Sequence, residues 1–218
     1  MSGVLQRPRT GDERARAEVV VRRPGLLEYG AAFERMVRFT DERVPESNDE
    51  IWLLQHPPVF TLGLNADPAH VLACGDIPVV RTDRGGQVTY HGPGQLVAYV
   101  LLDLQRRRLG VRALVTALES AVISTLARYG IDAVSDARAP GVYVGGAKVA
   151  SLGLRVRRGC SYHGLALNVS LDLGPFALIN PCGFSGLAVA RIADLGGPAD
   201  VETVSRDLEA DLLTQLGA

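Results

Sequence analysis

Residues 141–150 read Gly141-Val142-Tyr143-Val144-Gly145-Gly146-Ala147-Lys148-Val149-Ala150. Strand-forming residues on both sides of Gly-Gly form the pattern of a tight hairpin, because both turn residues can take positive φ. Working outward, further short β-rich runs occupy Glu18–Val21, Ile51–Leu54, Val59–Leu62, Val79–Arg81, Gln95–Leu102 and Leu165–Val169. Few helices intervene. One is expected between Leu26 and Val44, with Leu27, Ala31, Met36, Val37 and Phe39 on its apolar face. A second covers Val111–Tyr129, where Leu114, Leu118, Val122 and Leu126 recur every four residues and Gly130 ends the pattern. A third closes the chain at Val201–Leu216. Strands joined by hairpins predict an α+β fold, with a mixed, largely antiparallel sheet flanked by helices. Residues 1–17 read as a disordered tail and 18–218 as a single domain.

Composition excludes several functions. The 218 residues are 47% apolar, enough for a sizeable core. Twenty-three Lys and Arg against 24 Asp and Glu leave a net charge of −1, so no bulk positive field draws in nucleic acid. The longest apolar run, Leu96–Leu102, is far short of the ~20 residues of a membrane span. Residues 1–17 lack the apolar stretch of a signal peptide, so a cytoplasmic protein is expected, with neither nucleic acid nor membrane as partner. Cys74, Cys160 and Cys182 are odd in number and contain no C-x-x-C pair, which argues against a disulfide framework or a structural zinc. His70 and Cys74 are half a metal site with no second half, so no metal is expected.

Three features carry chemistry. Of the 23 basic residues only Lys148 is lysine. A GC-rich genome explains the excess of arginine, but a lysine that persists is either an ordinary exposed residue or a titratable amine, which arginine cannot replace. The stretch Arg84-Gly85-Gly86-Gln87-Val88-Thr89-Tyr90-His91-Gly92-Pro93-Gly94-Gln95 holds four glycines and one proline, so it reads as a loop rather than a plain strand. Its glycines let backbone approach a ligand while Arg, Gln, Thr, Tyr and His supply hydrogen bonds. It is neither a P-loop nor a dinucleotide fingerprint. Cys182 sits between Pro181 and Gly183 on a rigid turn. A reactive thiolate needs a nearby cation, for which Lys148, His91 and His163 are the candidates. His56 and His70 read as structural histidines. The tripeptide Tyr-His-Gly occurs at 90–92 and again at 162–164.

Five motifs in order resemble one family. They are His-Pro-Pro-Val-Phe-Thr-Leu-Gly at 56–63, the stretch 84–95, Gly-Ala-Lys-Val-Ala-Ser-Leu-Gly at 146–153, His-Gly-Leu-Ala-Leu-Asn at 163–168 and Asn-Pro-Cys-Gly at 180–183. The chain is similar, from about residue 18 to 213, to the bacterial octanoyltransferases of lipoate synthesis. The resemblance implies the fold of biotin and lipoate protein ligases. It also implies transfer of an octanoyl group from octanoyl-acyl carrier protein to a lysine of lipoyl domains, those of 2-oxoacid dehydrogenase complexes and the glycine cleavage H protein. On the family pattern Cys182 is the acyl-thioester nucleophile and Lys148 lowers its pKa. Arg84, Gly85, Gly86, Gln87, Val88, Thr89, Tyr90, His91, Ser151, Leu152, Gly153, Gly164, Leu165 and Ala166 line the acyl site. No cofactor is implied, since the acyl donor carries its own phosphopantetheine.

The residues agree with that chemistry. A thioester is already activated, so its transfer to an amine needs no ATP, and covalent catalysis lets one carrier leave before the next docks. Backbone N–H groups near Leu152 and Gly153 are expected to hold the oxyanion. Arg106, Arg107 and Arg108, with Arg155, Arg157 and Arg158, are candidates for docking an acidic carrier, or simply a solvated face. The rival readings are an ATP-dependent lipoate or biotin ligase, a non-catalytic lipoyl-domain binding module and a thiol hydrolase.

Overall fold

The computed structural model describes residues 18–136, 139–180 and 186–218. The expected tail at 1–17 and the Cys182 turn lie outside the described residues. Among the described residues ten strands and three α-helices follow in order. Strands β1 (Val19–Leu26), β2 (Asp49–Gln55), β6 (Gln95–Leu101), β7 (Val134–Ser135), β8 (Gly141–Val144), β9 (Ala147–Arg157) and β10 (Cys160–Asn168) form a seven-stranded sheet. Its order is β1-β2-β6-β10-β9-β8-β7. Within it only β1 and β2 run parallel. Strands β3 (Val59–Leu62), β4 (Val79–Arg81) and β5 (Val88–His91) make a smaller mixed sheet in the order β4-β3-β5. The fold is α+β, as the hairpin pattern predicts.

Strand alternation divides the large sheet into two faces. Ile51, Leu53, Leu96, Ala98 and Val100 pack under α2 (Val111–Arg128) and α3 (Val201–Gln215), against Leu114, Leu118, Val122, Val204, Leu208 and Leu212. Trp52, Leu54, Val97, Tyr99 and Leu101 point the other way, toward α1 (Tyr29–Asp41) with Ala32 and Met36. Each of these strands is buried on both faces, which explains its continuous apolar run. A third cluster, around Phe60, Tyr90 and Phe176, fills the underside of the small sheet.

Some local expectations change. The first helix is shorter than expected because β1 continues to Leu26, and its buried face is Tyr29, Ala32, Met36 and Thr40, with Ala31 exposed. The glycine-rich stretch is not all loop. Its glycines bracket a strand rather than interrupt it, and Val88–His91 pairs antiparallel with Val59–Leu62. β10 starts at Cys160, five residues before the apolar run that predicts it, because Arg158 (φ 51°) and Gly159 (φ 78°) complete a turn there. The Gly145-Gly146 hairpin forms as read, with φ of 57° and 84° at the two glycines.

Arg106 and Arg107 are not a free docking face. They converge with Arg43 on the buried carboxylate of Asp49, at 2.7, 2.5 and 2.5 Å. Of the second group, Arg157 pairs with Asp41 at 3.3 Å and Arg158 donates to the Asp41 carbonyl.

Candidate functional site

A cleft opens on the α1 face of the large sheet, between β9 and the segment preceding β5. Two cross-strand rows build one wall. Val97, Ala166 and Ser151 face one another across β6, β10 and β9, and Tyr99, Gly164 and Gly153 form the next row. β8 ends at Gly141, opposite Ser151. Beyond that point the loop before β5 covers β9, with the Gly85 N–H donating to the Leu154 carbonyl at 2.9 Å.

The structure gathers most of the expected acyl-site residues around this cleft. Arg84, Gly86, Gln87, Val88, Thr89 and His91 line it, with Ser151–Gly153 and Gly164–Ala166. Two of the expected residues do not line it. Gly85 is engaged with Leu154, and Tyr90 alternates away from Thr89 and His91 to pack tilted against Phe60 and edge-to-face on Phe176. Tyr29, Val97 and Tyr99 also line the cleft but carry no motif. Val97 and Tyr99 lie inside an apolar run that gives no sign of its open face. His163, expected only as a possible partner of the thiol, completes the lining.

Arg84 is buried and donates to the Thr61 carbonyl at 2.7 Å and hydroxyl at 2.8 Å. Three histidines gather nearby. His56 donates from Nδ1 to the Leu27 carbonyl and accepts at Nε2 from the Tyr99 hydroxyl, both at 2.6 Å. Burial holds it neutral, with its pKa pushed down to about 4. It stands edge-on to His91, and the structural reading of His56 suits these contacts. His91 titrates well below its ordinary range because it is buried, with His56 and the Arg84 cation adding to the effect. Burial also pushes the Tyr99 hydroxyl upward, so two neutral histidines and a neutral tyrosine surround the Arg84 cation here.

Lys148 is buried beside Gly141, which pairs with the cleft-lining Ser151. Its Nζ donates to the Pro140 carbonyl at 3.2 Å and lies 5.2 Å from the centre of the Tyr143 ring. Its backbone is stitched to residues 188–190. Lys148 N–H donates to Ala188 O at 2.8 Å, and Ala190 N–H donates to Lys148 O at 3.0 Å. A hydrogen-bonded chain leads from there into the cleft. Asn168 donates to Ala190 O, Gln95 donates to Asn168 Oδ1, and His91 Nδ1 meets Gln95 Oε1 at 2.7 Å. Two of the cysteines are described. Cys74 is exposed, while Cys160 is buried and its thiol pKa is raised chiefly by that burial, which disfavours a thiolate. Among the described residues no three of His, Cys, Asp and Glu are grouped to hold a metal. No helix there is long and apolar enough to cross a membrane.

Comparison with known proteins gives the family of the chain. The family model of the lipoyl protein ligase A/B catalytic domain matches residues 28–213. An octanoyltransferase of Methylococcus capsulatus is 59% identical over 198 residues, covering 91% of this chain and 96% of the relative. An octanoyltransferase of Vibrio campbellii is 54% identical, covering 91% and 90%. Among solved structures, lipoate-protein ligase A bound with ATP has a TM-score of 0.68 at 15% identity, covering 92% of this chain and 85% of its own. Biotin protein ligase from Aquifex aeolicus with biotin and ATP has a TM-score of 0.56 at 13% identity, covering 91% and 70%. The structural likenesses show the shared fold, and the sequence relatives narrow it. The chain is an acyltransferase that belongs to the lipoyl protein ligase A/B catalytic-domain family, among its bacterial octanoyltransferases.

Proposed function

We propose that this protein transfers an octanoyl group from octanoyl-acyl carrier protein to a lysine of lipoyl domains, through a thioester on Cys182. The acceptors are the lipoyl domains of 2-oxoacid dehydrogenase complexes and the glycine cleavage H protein, in the cytoplasm. One observation carries the reading: the lone lysine of the chain is buried beside Gly141, which pairs with the cleft-lining Ser151, in a chain 59% identical to an octanoyltransferase.

The Cys182 thiolate attacks the thioester carbonyl of the donor. The tetrahedral oxyanion collapses, the C–S bond to phosphopantetheine breaks, and that thiol leaves with a proton. The free amine of the acceptor lysine then attacks the Cys182 thioester, loses a proton and expels the Cys182 thiolate. Lys148 as an ammonium favours the thiolate and as an amine accepts the proton. The Leu152 N–H, on the edge of β9 beyond its pairing with β8, is the oxyanion donor in this scheme. The donor is already activated, so no ATP, metal or resident cofactor enters.

Incubation with octanoyl-carrier protein in the absence of acceptor should add one octanoyl group, removable by hydroxylamine. Cys182→Ala should abolish the adduct, and Cys74→Ala and Cys160→Ala should retain it. An adduct mapped to Cys74 or Cys160 overturns the assignment. A strict need for ATP and Mg²⁺ in the complete reaction would instead favour the ligase reading.

A further inference from the structure

Lys148 sits where the large sheet changes partners. Pairing of β10 with β9 runs as far as Leu167 and Ala150, and β10 ends at Asn168. Lys148 lies past the end of that ladder. Residues 188–190 take the vacated place, with Val189 bridging Lys148 in parallel and both Lys148 backbone groups bonded there. On the β8 side, Val142 pairs with Ala150 but Tyr143 pairs with Lys148, so β9 carries one extra residue. Such a bulge re-aims a side chain and disrupts the ladder locally. The direction of the amine toward Pro140 and Gly141 is therefore set by a bulge on one edge and by residues 188–190 on the other.

A chain of buried side chains holds that segment, and its direction can be assigned. Asn168 donates to the Ala190 carbonyl at 2.9 Å, which places its NH2 there and its Oδ1 toward Gln95. Gln95 donates to that Oδ1 at 3.0 Å and to the Tyr90 carbonyl at 3.1 Å, so its own Oε1 faces His91. An amide oxygen only accepts, so His91 Nδ1 carries the proton. His91 is held neutral by burial, which leaves Nε2 to accept from the Thr61 hydroxyl at 3.3 Å. That hydroxyl accepts in turn from Arg84. Five hydrogen bonds thus run in one sense, from Arg84 in the cleft to the Ala190 carbonyl. Bonds aligned in this way polarise one another, so a break at one place weakens the rest. Gln95 and Asn168 are both buried and both end a sequence motif, yet neither is among the residues lining the cleft.

We propose that Gln95 and Asn168 are positioning residues for the Lys148 amine, acting through the Ala190 carbonyl rather than on any substrate atom. They hold residues 188–190 where β10 has ended, and that segment holds both backbone groups of Lys148. Neither amide gives or takes a proton. The inference rests on the transfer reading above, in which Lys148 favours the Cys182 thiolate and accepts the proton.

The test measures kcat and KM for octanoyl-acyl carrier protein, with an apo lipoyl domain as acceptor and product read by intact mass. It compares wild-type protein with Asn168→Ala, Gln95→Ala and the double variant, each under conditions where urea unfolding shows it folded. In each single variant kcat should fall by about tenfold to a hundredfold, the scale of a misplacement near 1 Å. KM should stay within about threefold of wild type. The alkylation midpoint of Cys182 should rise in both, as the Lys148 cation moves. The double variant should be no slower than the slower single one, because either break opens the same chain. Losses that multiply in the double variant, an unmoved midpoint, or an unchanged kcat beside a lower stability make these amides ordinary supports of the fold and overturn the proposal. Should the alanine variants not fold, Asn168→Asp keeps the shape and the acceptor for Gln95. At about pH 8 its carboxylate cannot donate to Ala190, so kcat should fall in the same way, and a full rate there overturns the proposal. Wild-type protein that takes up no octanoyl from its carrier overturns the transfer reading and the positioning role with it, whereas full transfer in the variants overturns the positioning role alone.

Discussion

The side chain of Lys148 passes Gly141 so closely that a methyl group there would lie 2.8 Å from Cε and 3.1 Å from Nζ. The same methyl would meet the Ala150 carbonyl at 2.8 Å. The Gly141 N–H is itself held by Glu119 Oε1 of α2 at 3.0 Å. The position of the amine therefore depends on a side chain missing from the neighbouring strand.

Gly141→Ala should displace the Lys148 amine without removing it. Octanoyl transfer should fall at least tenfold, with a stability loss of about 1–3 kcal/mol from overpacking. Steady-state transfer and urea unfolding check the two parts separately. Full activity in this variant would show that the amine need not stay where it is.

Lys148→Ala and Lys148→Arg separate charge from proton transfer. Both should lower transfer by about 10²–10⁴-fold, the usual range for a lost acid–base group. Loss of the cation in Lys148→Ala should also slow alkylation of Cys182 at pH 7 and raise its titration midpoint. Arginine keeps the charge but not the titratable proton, so its thiol midpoint should stay low. A wild-type midpoint near the free-thiol value of about 8.5, unmoved by either change, would break the pairing.

Asp49 tests the buried arginine cluster. Hydrogen bonds from the Asp103 N–H and Arg107, with the Arg106 charge, outweigh desolvation and hold its carboxyl below the usual range. Its folded pKa is thus below its unfolded one. The stabilisation is complete above about pH 4 and is lost as pH falls through the folded value. Asp49→Asn should cost about 3–5 kcal/mol at pH 7, since it leaves buried arginines without their counter-charge. The gap from wild type should narrow below pH 4 in urea titrations.

His56 should add to the loss of stability toward acid pH. Its folded pKa of about 4 lies below the unfolded value of about 6.5. The unfolded chain therefore binds an extra proton between these values, and stability falls as pH drops through that window. The loss from this histidine is about 2 kcal/mol at pH 5. His56→Gln should flatten the slope by up to one proton, measured as urea midpoints from pH 7 to 4. An unchanged slope would mean that His56 does not titrate differently in the two states.

Local pattern made much of the fold legible. The Gly145-Gly146 turn, the four-residue spacing of Leu114, Leu118, Val122 and Leu126, and the short strand Val59–Leu62 are governed by neighbours in sequence, so the chain alone predicts them. The grouping of 84–91, 151–153 and 164–166 came from the family resemblance and not from local pattern. Other features depend on contacts between segments far apart in the chain. Val88–His91 becomes a strand because Val59–Leu62 is there to pair with it. Arg106 and Arg107 look like a basic surface in a linear reading, yet a carboxylate over fifty residues earlier draws them inward. Tyr90 and His91 are adjacent, but pleating sends one into the core and the other to the cleft. The passage of Lys148 beside Gly141, and the reach of Asn168 to the Ala190 carbonyl, arise only once β8, β9 and β10 lie side by side. Side-chain type and spacing are properties of the chain, whereas register and burial belong to the packed sheet.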